Sequence, residues 1–274
     1  MQLDEQHADA VALKLAHIAL EAGRLLQNLE RATTGHRVKP DGTPTTAADI
    51  AAENLIIARL AEAWPKIPIV AEETANAAIP DESFFLVDPL DGTSDYIRGT
   101  GEYSVNIALI KGSRPMASVV SAPSIGRIWM AGRSVQAGQI DGSDADRIGW
   151  RTVKTRQAPE RDLVALVSRR HGDAATDACL STLSIGTRRT ASSALKFCLI
   201  ASGEADIYVR CGPTMEWDTA AGDHVLFRAG GSVIGPGGEP LTYGHEARGY
   251  RNGPFAALGD KSLAVKLALP SQAA

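Results

Sequence analysis

The hexapeptide Asp88-Pro89-Leu90-Asp91-Gly92-Thr93 sets two carboxylates three residues apart in a turn built from Pro and Gly. It follows the apolar run Phe84-Phe85-Leu86-Val87, which reads as a short buried strand. A sharp bend at a strand end lets both side chains converge on one point. Carboxylates held that close repel each other, so the arrangement calls for a cation. Further acids stand in Ala71-Glu72-Glu73-Thr74 and in Glu216-Trp217-Asp218-Thr219-Ala220-Ala221-Gly222. An all-oxygen donor set suits hard ions, and Mg²⁺ works with one or two carboxylates, water and substrate phosphate. Each segment alone has an ordinary structural explanation: Asp-Pro and Asp-Gly are turn dipeptides, Asp218 is a helix N-cap, and Glu72-Glu73 are solvated loop acids. Those explanations give no reason for all three to occur in one chain.

The elements that must position these acids are legible in outline. Leu15, Ile18, Ala19, Ala22, Leu25, Leu26 and Leu29 recur at helical spacing, predicting a helix from about Asp4 to Leu29. Lys39-Pro40-Asp41-Gly42-Thr43-Pro44 is loop chemistry. Thr46-x-x-Asp49 has the form of a capping box opening a second helix, and Trp64-Pro65 marks its exit. Strands are expected at Ile69–Ala71, Phe84–Val87, Tyr103–Ile110, Met116–Ser121 and Arg127–Ala131, with a hairpin turn over Lys111–Pro115. The polar stretch from Arg133 to Arg161 reads as a surface excursion and a domain boundary. Beyond it strands and helices alternate, with helices at Ala174–Leu183, Ala194–Ala201 and Asp218–Ala229 and a short strand at Ser184–Gly186. A closing helix is expected over Lys261–Leu269, stopped by Pro270. The expectation is an α+β half over residues 1–135, an α/β half over 136–274, and a site at their junction.

A net charge of −4 gives no global basic field for nucleic acid. An anionic substrate would be attracted by local charge. Cys179, Cys198 and Cys211 form neither a Cys-x-x-Cys pair nor a zinc spacing, and their odd number fits a reducing compartment. No apolar run approaches a membrane span, and the acidic start Met1-Gln2-Leu3-Asp4-Glu5 is unlike a signal peptide. A cytoplasmic location is expected.

Together, Glu72-Glu73, the Asp88–Thr93 hexapeptide and Trp217-Asp218-Thr219-Ala220-Ala221-Gly222 resemble the inositol monophosphatase superfamily of Mg²⁺-dependent, lithium-sensitive phosphomonoesterases. The likeness runs from Lys39 to about Gly253. Gly101-Glu102-Tyr103-Ser104-Val105-Asn106-Ile107-Ala108-Leu109-Ile110, Ser192-Ser193-Ala194-Leu195-Lys196-Phe197-Cys198 and Gly212-Pro213-Thr214-Met215-Glu216-Trp217-Asp218 are most similar to the bacterial 3′(2′),5′-bisphosphate nucleotidases. Those enzymes remove the 3′-phosphate of adenosine 3′,5′-bisphosphate, leaving AMP and phosphate. The resemblance implies a layered α/β/α/β/α sandwich, and homodimers are usual in the family.

It also implies roles. Glu72, Asp88, Asp91 and Asp218 would ligate two or three Mg²⁺ ions, with the backbone carbonyl of Leu90 completing the set. Thr93 and Asp49 would orient a metal-activated water, since Thr46-Ala47-Ala48-Asp49 fits the family's context for that acid. Read alone, Asp49 is equally a capping-box acid, and the two roles are compatible. Backbone N–H groups of Gly92, Thr93 and Ser94 would face the phosphate. Ser193, Lys196, His171 and Arg210 would approach the nucleotide. Lys196 lies among Leu195, Phe197 and Leu199, a setting for a phosphate pocket or for a snorkelling stem. Arg169 and Arg170 read as ordinary solvated charges. Ser94-Asp95-Tyr96 stands where close relatives often carry Lys-Glu-Phe, which bears on substrate preference and leaves the metal site untouched. The alternatives are an inositol monophosphatase or sugar bisphosphatase on the same scaffold, or a non-catalytic sensor that binds metal and nucleotide without turnover.

Overall fold

The computed structural model describes residues 4–30, 35–39, 42–74, 82–142, 144–169 and 172–271. Asp4 caps a single 3-10 turn, Glu5–His7, that leads into helix α1 (Ala8–Glu30). A small hairpin, β1 (Arg37–Val38) and β2 (Pro44–Thr45), precedes helix α2 (Ala47–Ala63). Next come β3 (Ile69–Ala71), β4 (Ser83–Asp91), the short helix α3 (Thr93–Ile97), β5 (Ser104–Lys111), β6 (Arg114–Ala122), β7 (Arg127–Ala131), β8 (Val135–Gln139) and β9 (Arg151–Thr152). β3 to β9 form one seven-stranded sheet in sequence order. Only β3 and β4 are parallel; every later pair is antiparallel.

The second half holds β10 (Leu163–Val167), α4 (Ala174–Ser181), β11 (Ile185–Thr190), α5 (Leu195–Ala201), β12 (Ile207–Arg210), β13 (Thr214–Met215), α6 (Glu216–Arg228), β14 (Ser232–Ile234), β15 (Arg251–Asn252) and β16 (Phe255–Leu258). Five of its strands form a second sheet in the order β11-β10-β12-β16-β14.

Period-2 alternation explains the layering. Phe85 and Val87 of β4 pack with Leu15, Leu26, Ile56 and Leu60 of α1 and α2. Phe84 and Leu86 point the other way, into a core shared with Phe197 of α5, Val225 and Leu226 of α6 and Tyr208 and Phe255 of the small sheet. With both faces covered, β4 has to be apolar throughout. The far face of the small sheet, including Ala165, Ile207 and Leu258, packs on Cys179 and Leu180 of α4 and on Leu263. The layers therefore run α1/α2, large sheet, α5/α6, small sheet, α4, which is the α/β/α/β/α order expected.

Three elements differ from the sequence expectation. The stretch from Arg133 to Arg161 is not wholly an excursion, because β8 and β9 extend the large sheet to Thr152. β8, Val-Gln-Ala-Gly-Gln, buries Val135, half-covers the next three residues and exposes Gln139, so it carries no apolar signal. β11 runs on to Thr190 as an edge strand whose exposed Arg188 and Arg189 look like loop residues but guard an open edge. Lys261–Lys266 is a 3-10 helix, not an α-helix. No described helix is long and apolar enough to cross a membrane.

Candidate active site

β4 sets the geometry. Asp88 pairs with Asn106 and Asp91 with Ser104, so the β4 segment has one more residue than its partner on β5. In a regular strand, residues three apart face opposite sides; the bulge at Pro89-Leu90 restores them to one side. Asp88 and Asp91 thus line the same cleft. Leu90 turns its side chain into the α1/α2 core, and its N–H donates to Asp88 Oδ1 at 3.0 Å. Gly92 follows at φ +98°, and a Cβ there would lie 2.6 Å from Ser193 Oγ. Glycine is needed both for the backbone angle and for the close approach.

Glu72 reaches the same cleft from the 3-10 turn after β3. Asp218 reaches it from the first turn of α6, where its Oδ2 accepts from Thr214 Oγ1 at 2.6 Å and from Met215 N at 3.1 Å. Burial lifts the Asp88 carboxyl well above the usual carboxylate range, with repulsion from Glu72, Asp91 and Asp218 adding to the rise. Burial pushes Glu72 up to about 7; Lys39 opposes the rise and Asp218 reinforces it. Asp91 rises to about 6 through burial and the Asp218 charge, against the pull of Lys196. Glu72, Asp88 and Asp91 resist ionising together beside Asp218, and an all-oxygen set of this kind fits a hard divalent cation.

Beside this cluster, Thr93 Oγ1 lies 2.8 Å from Asp49 Oδ1 and 3.2 Å from the Leu90 carbonyl oxygen. The hydroxyl has one proton, and the shorter, charge-assisted contact takes it. Asp49 Oδ2 meanwhile accepts from Thr46 N at 2.7 Å and Thr46 Oγ1 at 2.6 Å, closing the capping box of α2. One carboxylate serves both roles, one oxygen each.

The second half supplies the opposite wall. Ser193, Lys196 and Arg210 line the cleft with Gly92, Thr93 and Ser94. Asp91 joins the halves: its Oδ2 accepts from Ala194 N at 2.7 Å, at the start of α5, and its carbonyl accepts from Ser193 Oγ at 2.8 Å. Lys196 is almost fully buried. Its Nζ donates to the carbonyls of Ser193 at 2.9 Å and Ala191 at 3.3 Å and sits 4.7 Å above the Tyr208 ring. Arg210 donates from Nη2 to the Pro213 carbonyl at 2.6 Å, and its buried Nε has no partner among the described residues. His171 lies outside the described residues.

Several contributors carry no sequence signal of their own. Asn106 Nδ2 donates to Asp91 Oδ2 at 3.2 Å, orienting it from β5. Buried Glu53 accepts the N–H of Glu73 at 2.9 Å and so fixes the turn that presents Glu72. Glu53 lies one helical turn after Asp49, the only clue to it in the sequence. Lys39 Nζ stands 2.7 Å from Glu72 Oε1 and 2.6 Å from Glu73 Oε1. Arg169, which reads as a solvated charge, lines the cleft.

The sequence profile of the inositol monophosphatase family matches residues 4–266. The 3′(2′),5′-bisphosphate nucleotidase CysQ of Escherichia coli (strain K12) is 38% identical over 209 residues, covering 75% of this chain and 81% of that protein. CysQ of Haemophilus influenzae is 28% identical over 249 residues, covering 89% and 91%. Among solved structures, CysQ from Bacteroides thetaiotaomicron, titled a bacterial member of the inositol monophosphatase family, superposes with a TM-score of 0.74 at 28% identity, covering 91% of this chain and 97% of that one. An inositol monophosphatase from Anabaena reaches the same TM-score at 23% identity, a likeness of fold, covering 94% and 95%.

Proposed function

The chain belongs to the inositol monophosphatase family, and from that premise we propose that it is a metal-dependent phosphomonoesterase that hydrolyses adenosine 3′,5′-bisphosphate to AMP and inorganic phosphate. The observation that carries the reading is the convergence of Glu72, Asp88, Asp91 and Asp218 on one cleft beside the Thr93–Asp49 pair. The nucleotidase relatives named above support the substrate.

In this reading Glu72, Asp88, Asp91 and Asp218, with the Leu90 carbonyl, hold two or three Mg²⁺ ions. When bound, such ions offset charge on the phosphoryl oxygens and acidify a water. The chain's own groups do the rest. Thr93 donates its hydroxyl hydrogen bond to Asp49, which leaves the Thr93 oxygen to accept a hydrogen bond from the attacking water and fix its direction. As the water's proton passes to Thr93 Oγ1, the Thr93 proton passes to Asp49, which Thr46 holds in place. The N–H groups of Gly92, Thr93 and Ser94 open α3 and face the phosphate, an approach allowed by the missing Cβ of Gly92. Arg210 and Ser193 close the site from the opposite wall. Lys196, engaged by carbonyls and a ring, acts on the anion through its charge. The three thiols are free, which suits the cytoplasmic location included in this proposal.

The test is phosphate release from adenosine 3′,5′-bisphosphate, inositol 1-phosphate and fructose 1,6-bisphosphate, with Mg²⁺ and with EDTA. The nucleotide should be the preferred substrate, and EDTA should abolish turnover. A preference for inositol 1-phosphate would reassign the substrate. Absence of release with Mg²⁺ would leave a binding protein.

A further inference from the structure

Among the described residues, three basic side chains line the cleft, and all come from the second half: Arg169, Lys196 and Arg210. They differ in what their charged heads can reach. The Lys196 ammonium is 3% exposed as a residue and is already held by two carbonyls and the Tyr208 ring. A phosphate could draw it out only by stripping two buried carbonyls of their donor. Arg210 lines the cleft alongside Asp91 and Asp218 and is already bonded to the Pro213 carbonyl. Arg169 is different. Its side chain is 42% exposed, and its Nη2 donates to Glu102 Oε1 at 2.6 Å.

That contact ties the Arg169 side of the cleft to the segment before β5. Glu102 precedes Tyr103 and β5, directly behind the Asp-Gly-Thr turn; its carbonyl oxygen lies 3.0 Å from where a Cβ on Gly92 would sit. Arg169 reaches it from the loop after β10. The guanidinium is therefore held at the cleft as its most exposed cation, while Arg210 is half-buried and Lys196 almost fully buried. A guanidinium offers five N–H donors in a planar fork, and pairing one edge with a carboxylate pre-orders the head for a second anion. The Gly92–Ser94 turn contributes no cation of its own. A substrate with two phosphates, one drawn to the carboxylate cluster, carries a second anion that calls for a cation not already committed to that cluster.

We propose that Arg169, anchored by Glu102, is the specificity-determining residue that binds the phosphate that is not hydrolysed. The inference rests on the bisphosphate reading above and assigns the residue that makes the second phosphate count.

The experiment compares adenosine 3′,5′-bisphosphate with adenosine 3′-monophosphate, which differ only in the second phosphate, in wild type, R169A and R169K. The ratio of kcat/KM, bisphosphate over monophosphate, should fall at least about tenfold in R169A, chiefly through KM, and R169K should recover part of it because it keeps the charge and loses the fork. Inhibition by AMP, which carries only the surviving phosphate, should weaken by a similar factor. A wild type that favours the bisphosphate, with the same ratio in R169A, overturns the role of Arg169 alone. Equal losses on both substrates overturn it too, as a merely structural effect. A wild type that cleaves neither nucleotide overturns the activity and this inference together.

Discussion

The two walls of the cleft keep their charge in opposite ways. Glu72, Asp88 and Asp91, from the first half, face Asp218 with mutual repulsion, and burial pushes all three above the ordinary carboxylate range. The cations of the second half each have protein acceptors: carbonyls for Lys196 and Arg210, Glu102 for Arg169. One wall is therefore strained until a cation arrives, while the other holds positive charge ready for an anion. A metal ion with a phosphate on it satisfies both at once. Preorganised charge of this kind acts without rearrangement at the moment of reaction.

Breaking the acidic wall should have the largest effect. Asp91→Asn removes ligand charge and should lower kcat by about a thousandfold or more, the scale of losing a preorganised electrostatic contact. The same change relieves repulsion, so the metal-free variant should melt no lower than the metal-free wild type. A near-normal rate would remove Asp91 from the ligand set. Asp49→Asn comes next. It leaves Thr93 without its carboxylate acceptor and should cost about a hundredfold in kcat with little change in KM. Because the capping box also loses its charge, a thermal melt should register a loss of about 1 kcal/mol.

Acidity sharpens the contrast. In the metal-free fold Glu72 and Asp91 stand at about 7 and about 6, above the roughly 4 of an unfolded carboxylate. Both states are neutral at low pH, and only the fold resists the charge. Stability should therefore decline as pH rises from about 4 to about 7. Mg²⁺ should raise Tm more at about pH 7.5 than at about pH 5, because protons compete with the ion for the same oxygens. A Tm gain independent of pH would mean the ion binds elsewhere.

On the basic wall, Lys196→Met should raise KM for the bisphosphate by about tenfold, since a buried charge near the anion is lost. It also withdraws the charge that opposes the rise of Asp91, so the pH at which Mg²⁺ begins to stabilise the protein should move upward. The smallest effect belongs behind that wall. A Cβ on Gly222 of α6 would lie 2.5 Å from Phe197 Cδ2 of α5. Gly222→Ala should destabilise the fold by about 1–3 kcal/mol, read by denaturant unfolding.

Legibility followed locality. The acidic turns and the capping box at Thr46 are written within a few residues and stand where the sequence places them, whereas α6 opens at Glu216, two residues early, with Met215 as its N-cap and Asp218 inside its first turn. β8 and β9 escaped because a half-covered or exposed strand at a sheet's end needs little apolar periodicity. Arg169 escaped because an exposed arginine and a cleft-lining arginine have the same sequence neighbourhood. Glu53 and Asn106 act on partners 20 and 15 residues away, a relation that no local pattern encodes.

By itself the chain determined which residue types bend the backbone and which faces must be buried, because Pro, Gly, capping acids and period-2 alternation act over a turn or a strand. Only the tertiary structure decided that Asp49 meets Thr93 across 44 residues and that Asp91 reaches the start of α5 across 103. Those meetings depend on which sheet face α2 and α5 cover, and that is settled by packing the whole core at once.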